Sequence, residues 1–282
     1  MFSFWSSLIL ALFILFILAN LLIVILTYSM CWYEYANTDP QLLDNRGKPG
    51  NIRMALSVIL QETFFNALTL LILPLGLLNP RRHPNVRGET PILLLHGLFN
   101  NRASWFWLKI YLRKQRLKNI ATINLSSWHN EEVLTELVAK KVDELRHRLG
   151  VDKVHLVGHS MGGIIARNYI QLRGGEKKVA SCTILGSPHF GSKLTPFSIA
   201  PLGRVLVPGS DFLRRLNSAP FPEDIKLTNI YTRKDNMVLP NESSRLPFGE
   251  AVELDNMGHT GLIYRKAALV AVSHALNAQG QK

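Results

Sequence analysis

"KVHLVGHSMGGIIARNYI", Lys153 to Ile170, decides the fold. Its opening residues are apolar and β-branched, as in a strand buried on both faces. Gly158-His159-Ser160-Met161-Gly162 interrupts that run, and a helical period follows to about Arg173. Two glycines let a chain turn very sharply between strand and helix. Such a turn lifts the serine side chain clear of the sheet. It also aims the Met161 N–H at the place where an oxyanion would form, at the positive end of the following helix. Gly-x-Ser-x-Gly alone is a common accident, and the alternative is a plain tight turn. The strand before it and the helix after it give it weight.

Working outward, short apolar runs recur at "PILLLHG" (91–97), "NIATINL" (119–125), "VASCTILGSPH" (179–189), "KLTNIYTRKD" (226–235) and "AVELDNMGH" (251–259). Between them, "EEVLTELVAKKVDELRHRLG" reads as a helix. Asn130 caps it, Glu131 and Glu132 suit its positive end, Arg146 and Arg148 its negative end, and Gly150 stops it. Strand and helix in alternation predict an α/β domain with a mostly parallel sheet covered on both faces.

A serine nucleophile needs a base, and the base an orienting acid, in the chain order Ser, Asp or Glu, His. Three histidines follow Ser160: His189, His259 and His274. His274 falls within the last helix, and His189 comes too early for a base although it is placed to line the site. His259, in a glycine-flanked loop after the last strand, is the candidate base. Asp235 leaves the carboxyl end of a strand, where active sites collect in such sheets, and is the candidate acid. Asp255 is the rival, four residues before His259 and still on its strand. Asp211 and Glu223-Asp224 have no strand behind them. A second oxyanion donor belongs in "HGLFNN" (96–101), from the N–H of Leu98 or of Phe99, with Leu98 preferred. His96, Phe99 and His159 are further candidates to line the site.

The N-terminal third is different. The first 33 residues carry no charged side chain, and "LILALFILFILANLLIVIL" (8–26) has one polar residue, Asn20. About 20 such residues cross a bilayer. The run is too long, and its start too poor in Lys and Arg, for a cleaved signal peptide. Residues 5–29 therefore read as an uncleaved anchor flanked by Trp5, Tyr28, Trp32, Tyr33 and Tyr35. A second apolar segment, 54–78, holds one charge, Glu62, which shares a helix face with Asn66 and Thr69. A lone carboxylate facing lipid is costly, so that face should meet protein or water. The segment is taken as a second span. A helix in the interface, or docked on the catalytic domain, is the alternative. With two spans, Arg81, Arg82 and Arg87 favour a cytoplasmic catalytic domain; with one, the side stays open.

The domains expected are thus an anchor over 1–80 and a catalytic domain over 81–282. Residues 190–225, apolar and rich in Pro and Gly, form a short lid-like insertion or a structural one. Residues 79–282 hold 29 Lys and Arg against 16 Asp and Glu. Beside an apolar head, and with no nucleic-acid motif, that charge points to lipid headgroups and not to nucleic acid. Cys31 and Cys182 lie in unlike contexts and predict neither a disulfide nor a metal pair.

"PILLLHGLFNNRASW", "LVGHSMGGIIARNYI", "LGSPHFGS", "YTRKDNMVLP" and "MGHTGLI" together resemble an α/β-hydrolase of the lipase and esterase kind. They are similar to bacterial triacylglycerol lipases and, more distantly, to the GPI inositol-deacylase group. The resemblance covers about residues 90–275. It implies Ser160 as nucleophile, Asp235 as acid, His259 as base, and backbone N–H groups of Leu98 and Met161 as oxyanion hole. It implies no cofactor and no obligate protein partner. Some related lipases hold calcium near the histidine loop; no paired aspartates suit it here, so no metal is carried over. The expectation is a membrane-anchored serine ester hydrolase of a bacterial inner membrane, acting on lipid-like or small acyl esters. An acyltransferase or thioesterase with the same triad, or a non-catalytic binding protein on a hydrolase fold, are the other readings.

Overall fold

The computed structural model describes residues 4–38, 47–78 and 86–277. Two helices come first, α1 (Phe4–Thr38) and α2 (Pro49–Ile72). The domain that follows is built on strands β1 (Ile92–Leu95), β2 (Ile120–Ile123), β3 (Val154–His159), β4 (Val179–Leu185), β5 (Lys226–Tyr231) and β6 (Glu250–Glu253). They form one sheet in the order β2-β1-β3-β4-β5-β6, with every neighbouring pair parallel. The strands are shorter than the apolar runs suggest. β4 stops at Leu185, where Gly186 takes φ +51°, and β6 stops at Glu253, two residues before Asp255.

Side chains alternate across the sheet because successive residues of a strand face opposite ways. Leu93 and Leu95 join one core with α4 (Glu131–Leu149) and α5 (Met161–Leu172), while Ile92 and Leu94 join the other with α3 (Phe106–Lys114) and α8 (Lys266–Asn277). The α4 ends are as the sequence predicts. Asn130 Oδ1 accepts from the Val133 N–H at 2.9 Å, and Gly150 ends the helix in the left-handed region. α3 is an element that the apolar pattern does not announce: only Leu108 and Leu112 are buried among its basic residues. The 190–225 segment holds a 3-10 turn, α6 (Pro201–Val205) and α7 (Asp211–Ser218). Asp211 therefore opens a helix.

α1 and α2 pack together, and Asn20 Nδ2 donates to the Thr63 carbonyl at 2.6 Å. Both are long and apolar enough to cross a membrane by length and composition. The face of Glu62, Asn66 and Thr69 meets the catalytic domain. Thr69 bonds the Tyr264 hydroxyl at 2.7 Å, and Phe65 stacks on the same ring at 5.1 Å. Arg81 and Arg82 lie outside the described residues, as does most of the loop between the helices.

Candidate active site

Ser160 stands between β3 and α5 with φ +55° and ψ −125°, a backbone that side-chain-bearing residues rarely adopt. A strain of about 1–3 kcal/mol is usual for such a residue. Close packing holds it there. A Cβ on Gly162 would overlap the Leu95 carbonyl, and one on Gly158 the backbone of Gly163. The Ser160 N–H donates to Leu185 O at 2.8 Å, and Ser187 Oγ donates to Ser160 O at 2.6 Å.

Asp235 follows β5, in the loop that leaves the carboxyl end of that strand. Its Oδ1 accepts from the N–H groups of Met237 and Val238 at 2.8 and 2.9 Å. Its Oδ2 accepts from His259 Nδ1 at 2.7 Å, so the imidazole's Nε2 is left for other work. The carboxylate is fully buried and the imidazole nearly so. Burial works against the charged imidazole, but the Asp235 charge and bond, with Glu62 behind them, push the His259 pKa above its ordinary value. Gly186, at the end of β4, brings the pieces together. A Cβ there would lie 3.1 Å from Asp235 Oδ2 and 3.4 Å from His259 Nδ1, while the Leu185 carbonyl beside it holds Ser160. Neither the Ser160 hydroxyl nor His259 Nε2 is engaged by another group among the described residues.

The loop after β1 distinguishes Leu98 from Phe99. The Phe99 N–H donates to Ser127 Oγ at 2.9 Å and is occupied. The Leu98 N–H has no partner among the described residues, and neither has the Met161 N–H in the first turn of α5. Two unpaired donors near a serine that is only half buried can stabilise negative charge on an attacked carbonyl oxygen.

The α/β hydrolase fold family matches residues 90–209. A triacylglycerol lipase of Pseudomonas fragi is 31% identical over 114 residues, which are 39% of this chain and 38% of that one. The chain has the α/β-hydrolase fold, and its sequence is similar to lipases. This hydrolase is also similar to a probable alcohol acetyltransferase of Saccharomyces cerevisiae, 28% identical over 141 residues that cover 47% of this chain and 36% of that one. The matches thus span little more than a third of these curated relatives. A Bacillus licheniformis lipase in mature form superposes with TM-score 0.57 at 20% identity, over 70% of this chain and 96% of that one. That likeness carries the fold alone.

Four of the hydrolase's candidate side chains need correction or refinement. His96 is buried and bonded at both nitrogens, 2.8 Å from Gly97 O and 2.8 Å from the Leu125 N–H, so it shapes the loop and does not line the site. Burial lowers its pKa to about 4. His189 is wholly buried between Arg167 and Asn229, each at 3.3 Å, and faces the interior. His159 is buried too; its Nε2 lies 3.2 Å from His259 O and its ring 4.6 Å from the His259 ring, so it backs the base. Burial, then the neighbouring His259, holds its pKa well down. Phe99 is half exposed and remains available at the mouth. Among the rivals, Asp255 is a surface residue paired with Lys234, Asp211 is exposed and paired with Arg214, Glu223 and Asp224 are exposed, and His274 is exposed on α8. Two groups escaped the sequence reading as site residues. Asn236 Oδ1 accepts from the His259 N–H at 3.3 Å, and Glu62 accepts from the next two amides of that loop. Neither belongs to a motif.

Proposed function

We propose that this chain hydrolyses carboxylic esters of lipid-like acyl chains through a Ser160–His259–Asp235 triad. The observation that carries the reading is the 2.7 Å Asp235–His259 bond together with a strained, half-buried Ser160. Ser160 Oγ attacks the ester carbonyl carbon, and its proton passes to His259 Nε2. The carbonyl oxygen, now negative, faces the N–H groups of Leu98 and Met161. Collapse of that intermediate breaks the bond to the alcohol oxygen, which leaves with the proton from His259. A water then gives a proton to His259, attacks the acyl-Ser160 ester and releases the acid with a regenerated hydroxyl. His259 must be neutral at the start of each half, and Asp235 holds the tautomer that leaves Nε2 free.

The substrate class follows from what surrounds the site. Phe99, Trp128, Phe190, Phe197, Ile199 and Met237 are exposed, and all lie in segments leaving the carboxyl ends of the strands. An apolar rim on that edge suits acyl chains. α1 exposes Phe4, Trp5 and a run of Leu, Ile and Phe along its first two dozen residues, enough at 1.5 Å per residue for about 30 Å of hydrocarbon. This apolar surface supports a reading in which the protein works at a membrane and draws its ester from it, with exposed Phe197 and Ile199 of the 190–225 insertion as a small lid.

A fluorophosphonate probe tests the reaction. It should label the folded wild type and leave Ser160→Ala unlabelled. Equal labelling of the two, or none of either, removes the reading. Likeness to the yeast acetyltransferase favours a second one, in which an alcohol replaces water as acceptor. Product analysis with added alcohol separates the two.

A further inference from the structure

Among the places where the N-terminal helices meet the catalytic domain are the two loops that carry the proposed acid and base. From α1, Thr27 Oγ1 accepts from Asn236 Nδ2 at 2.9 Å, the Tyr28 hydroxyl donates to Lys234 O at 3.1 Å, and Cys31 Sγ lies 3.6 Å from Asp235 O. Glu34, one turn further, pairs with Lys193. These positions follow a helical period, so one face of α1 grips the acid loop. From α2, Glu62 Oε2 accepts from the Thr260 N–H at 2.8 Å and Oε1 from the Gly261 N–H at 2.7 Å. Asn66 Oδ1 accepts from the Thr260 hydroxyl at 3.0 Å. Both helices reach Gly258, where a Cβ would overlap the Tyr28 hydroxyl and the Glu62 side chain.

The pattern at the base loop is continuous. Three successive amides, those of His259, Thr260 and Gly261, donate to side chains from outside the loop: Asn236, Glu62 and Glu62 again. Asn236 is itself tied to α1 through Thr27. A carboxylate with no exposed surface, on a helix that otherwise presents Leu56, Leu60 and Phe64 outward, is expensive to keep. The two N–H groups it receives come from one loop, immediately after the base. A tether needs no such arrangement.

We propose that Glu62 is a positioning residue for His259, and that the helix pair is a working part of the active site, not only a tether. The inference rests on His259 being the base. Glu62 fixes the backbone of residues 260 and 261, Asn236 fixes 259, and the imidazole is thereby aimed at Ser160. Besides Asp235 and Glu62, the groups facing His259 are His159 from the end of β3 and the Tyr28 hydroxyl from α1, with the Cys31 thiol close behind Asp235. Glu62 and Asp235 are the anionic ones, and both favour the imidazolium. Loss of the Glu62 charge lowers the pH at which His259 becomes neutral.

The test uses the full chain in detergent micelles, with a short p-nitrophenyl ester as substrate. Glu62→Gln keeps the shape and removes the charge. The expected result is a fall in kcat of about ten- to a hundredfold, as misplacement of a catalytic group produces, with KM changed far less. The acid limb of kcat/KM should move to lower pH. Leu60→Ala, on the exposed side of the same helix, should change neither. If His259→Ala keeps wild-type turnover, the triad reading falls and this inference with it. If His259→Ala is inactive while folded Glu62→Gln keeps wild-type kcat and acid limb, this inference alone is overturned. Should Glu62→Gln fail to fold, Asn66→Ala decides. It removes only the contact to the Thr260 hydroxyl. A severalfold loss of kcat at unchanged KM supports the role, and wild-type kcat overturns it.

Discussion

Ser160 and the Asp235–His259 pair are held in place by different means. The serine's restraints are backbone restraints from neighbouring segments: its own N–H on Leu185, its own carbonyl under the hydroxyl of Ser187, 27 residues on, and glycines pressed against main chain. The loops of the acid and base depend on side chains from helices far off in the chain, with Tyr28 reaching Lys234 across 206 positions and Glu62 reaching Thr260 across 198. A backbone turn defined by its own glycines is rigid wherever the sheet folds. A loop held by side chains from another unit is only as well placed as that unit is docked. The proposed nucleophile is thus autonomous, while its activation is conditional on α1 and α2.

The largest expected effect lies on the autonomous side. Ser160→Ala should cost on the order of 10⁴- to 10⁶-fold in kcat, with Tm nearly unchanged because alanine keeps the same Cβ at the strained position. Gly162→Ala should be worse for the fold itself, since the added Cβ meets the Leu95 carbonyl, and it should show as loss of soluble, cooperatively melting protein. A Ser160→Ala variant with substantial esterase turnover would end the comparison, because the elbow would then present nothing.

Next comes the pair. Asp235→Asn is expected to lower kcat by about 10⁴-fold, since the amide no longer holds the imidazole tautomer with Nε2 unprotonated. The pH dependence sharpens this. As the proposed base, His259 would act only when neutral, and its pKa is raised above 6.5 by Asp235 and Glu62 against the effect of burial. Wild-type kcat/KM should therefore rise with pH through a midpoint above 6.5, and Asp235→Asn should bring that midpoint down. Stability carries the opposite sign for the other buried histidines. His96 and His155 titrate near 4 in the folded state because burial disfavours their charged forms, and the unfolded chain takes up protons from about pH 6.5 downward. Tm should fall between pH 6.5 and 4, and a Tm that rises over that window would contradict their burial as neutral rings.

The same contrast explains what was legible in the sequence. The elbow, the order Ser160, Asp235, His259 and the parallel α/β class rest on local patterns, namely glycine spacing, apolar strands and loops after strands. Glu62 was visible only as a carboxylate in an apolar helix whose face must meet protein or water. Its destination, the amides of Thr260 and Gly261, is a tertiary fact with no spacing to reveal it. Asn236 was hidden for the same reason, although it adjoins Asp235. His189 and His96 looked like lining residues because they sit at strand ends; burial and double bonding remove them. α3 escaped because nine residues with two buried leucines give too little period to read.

A middle-sized effect tests whether the two helices act through one linkage. Asn236→Ala removes both the acceptor for the His259 amide and the bond to Thr27, and about a tenfold loss of kcat is expected from the freed loop. Thr27→Val removes only the α1 end. If α1 works through Asn236, the double variant should be no worse than Asn236→Ala alone. Strict additivity of the two losses would show that α1 acts by another route.

The smallest effect concerns the oxyanion loop, which also touches the N-terminal unit, since Asn101 Nδ2 donates to the Leu73 carbonyl just past α2 at 2.8 Å. Ser127 Oγ accepts from the Phe99 N–H, and that bond leaves Leu98 as the donor with no partner. Ser127→Ala deletes the acceptor and should cost about 1 kcal/mol of stability, the usual worth of such a bond. Its effect on kcat discriminates the two candidate donors. With Leu98 as the donor, the loop loosens around a working N–H, and kcat falls only a few-fold while KM holds. With Phe99 as the donor, the substitution frees an N–H that Ser127 had sequestered, and kcat rises. A modest fall therefore keeps Leu98 as the donor, whereas a rise would move the oxyanion hole by one residue and place Phe99, with its left-handed φ of +56°, at its centre.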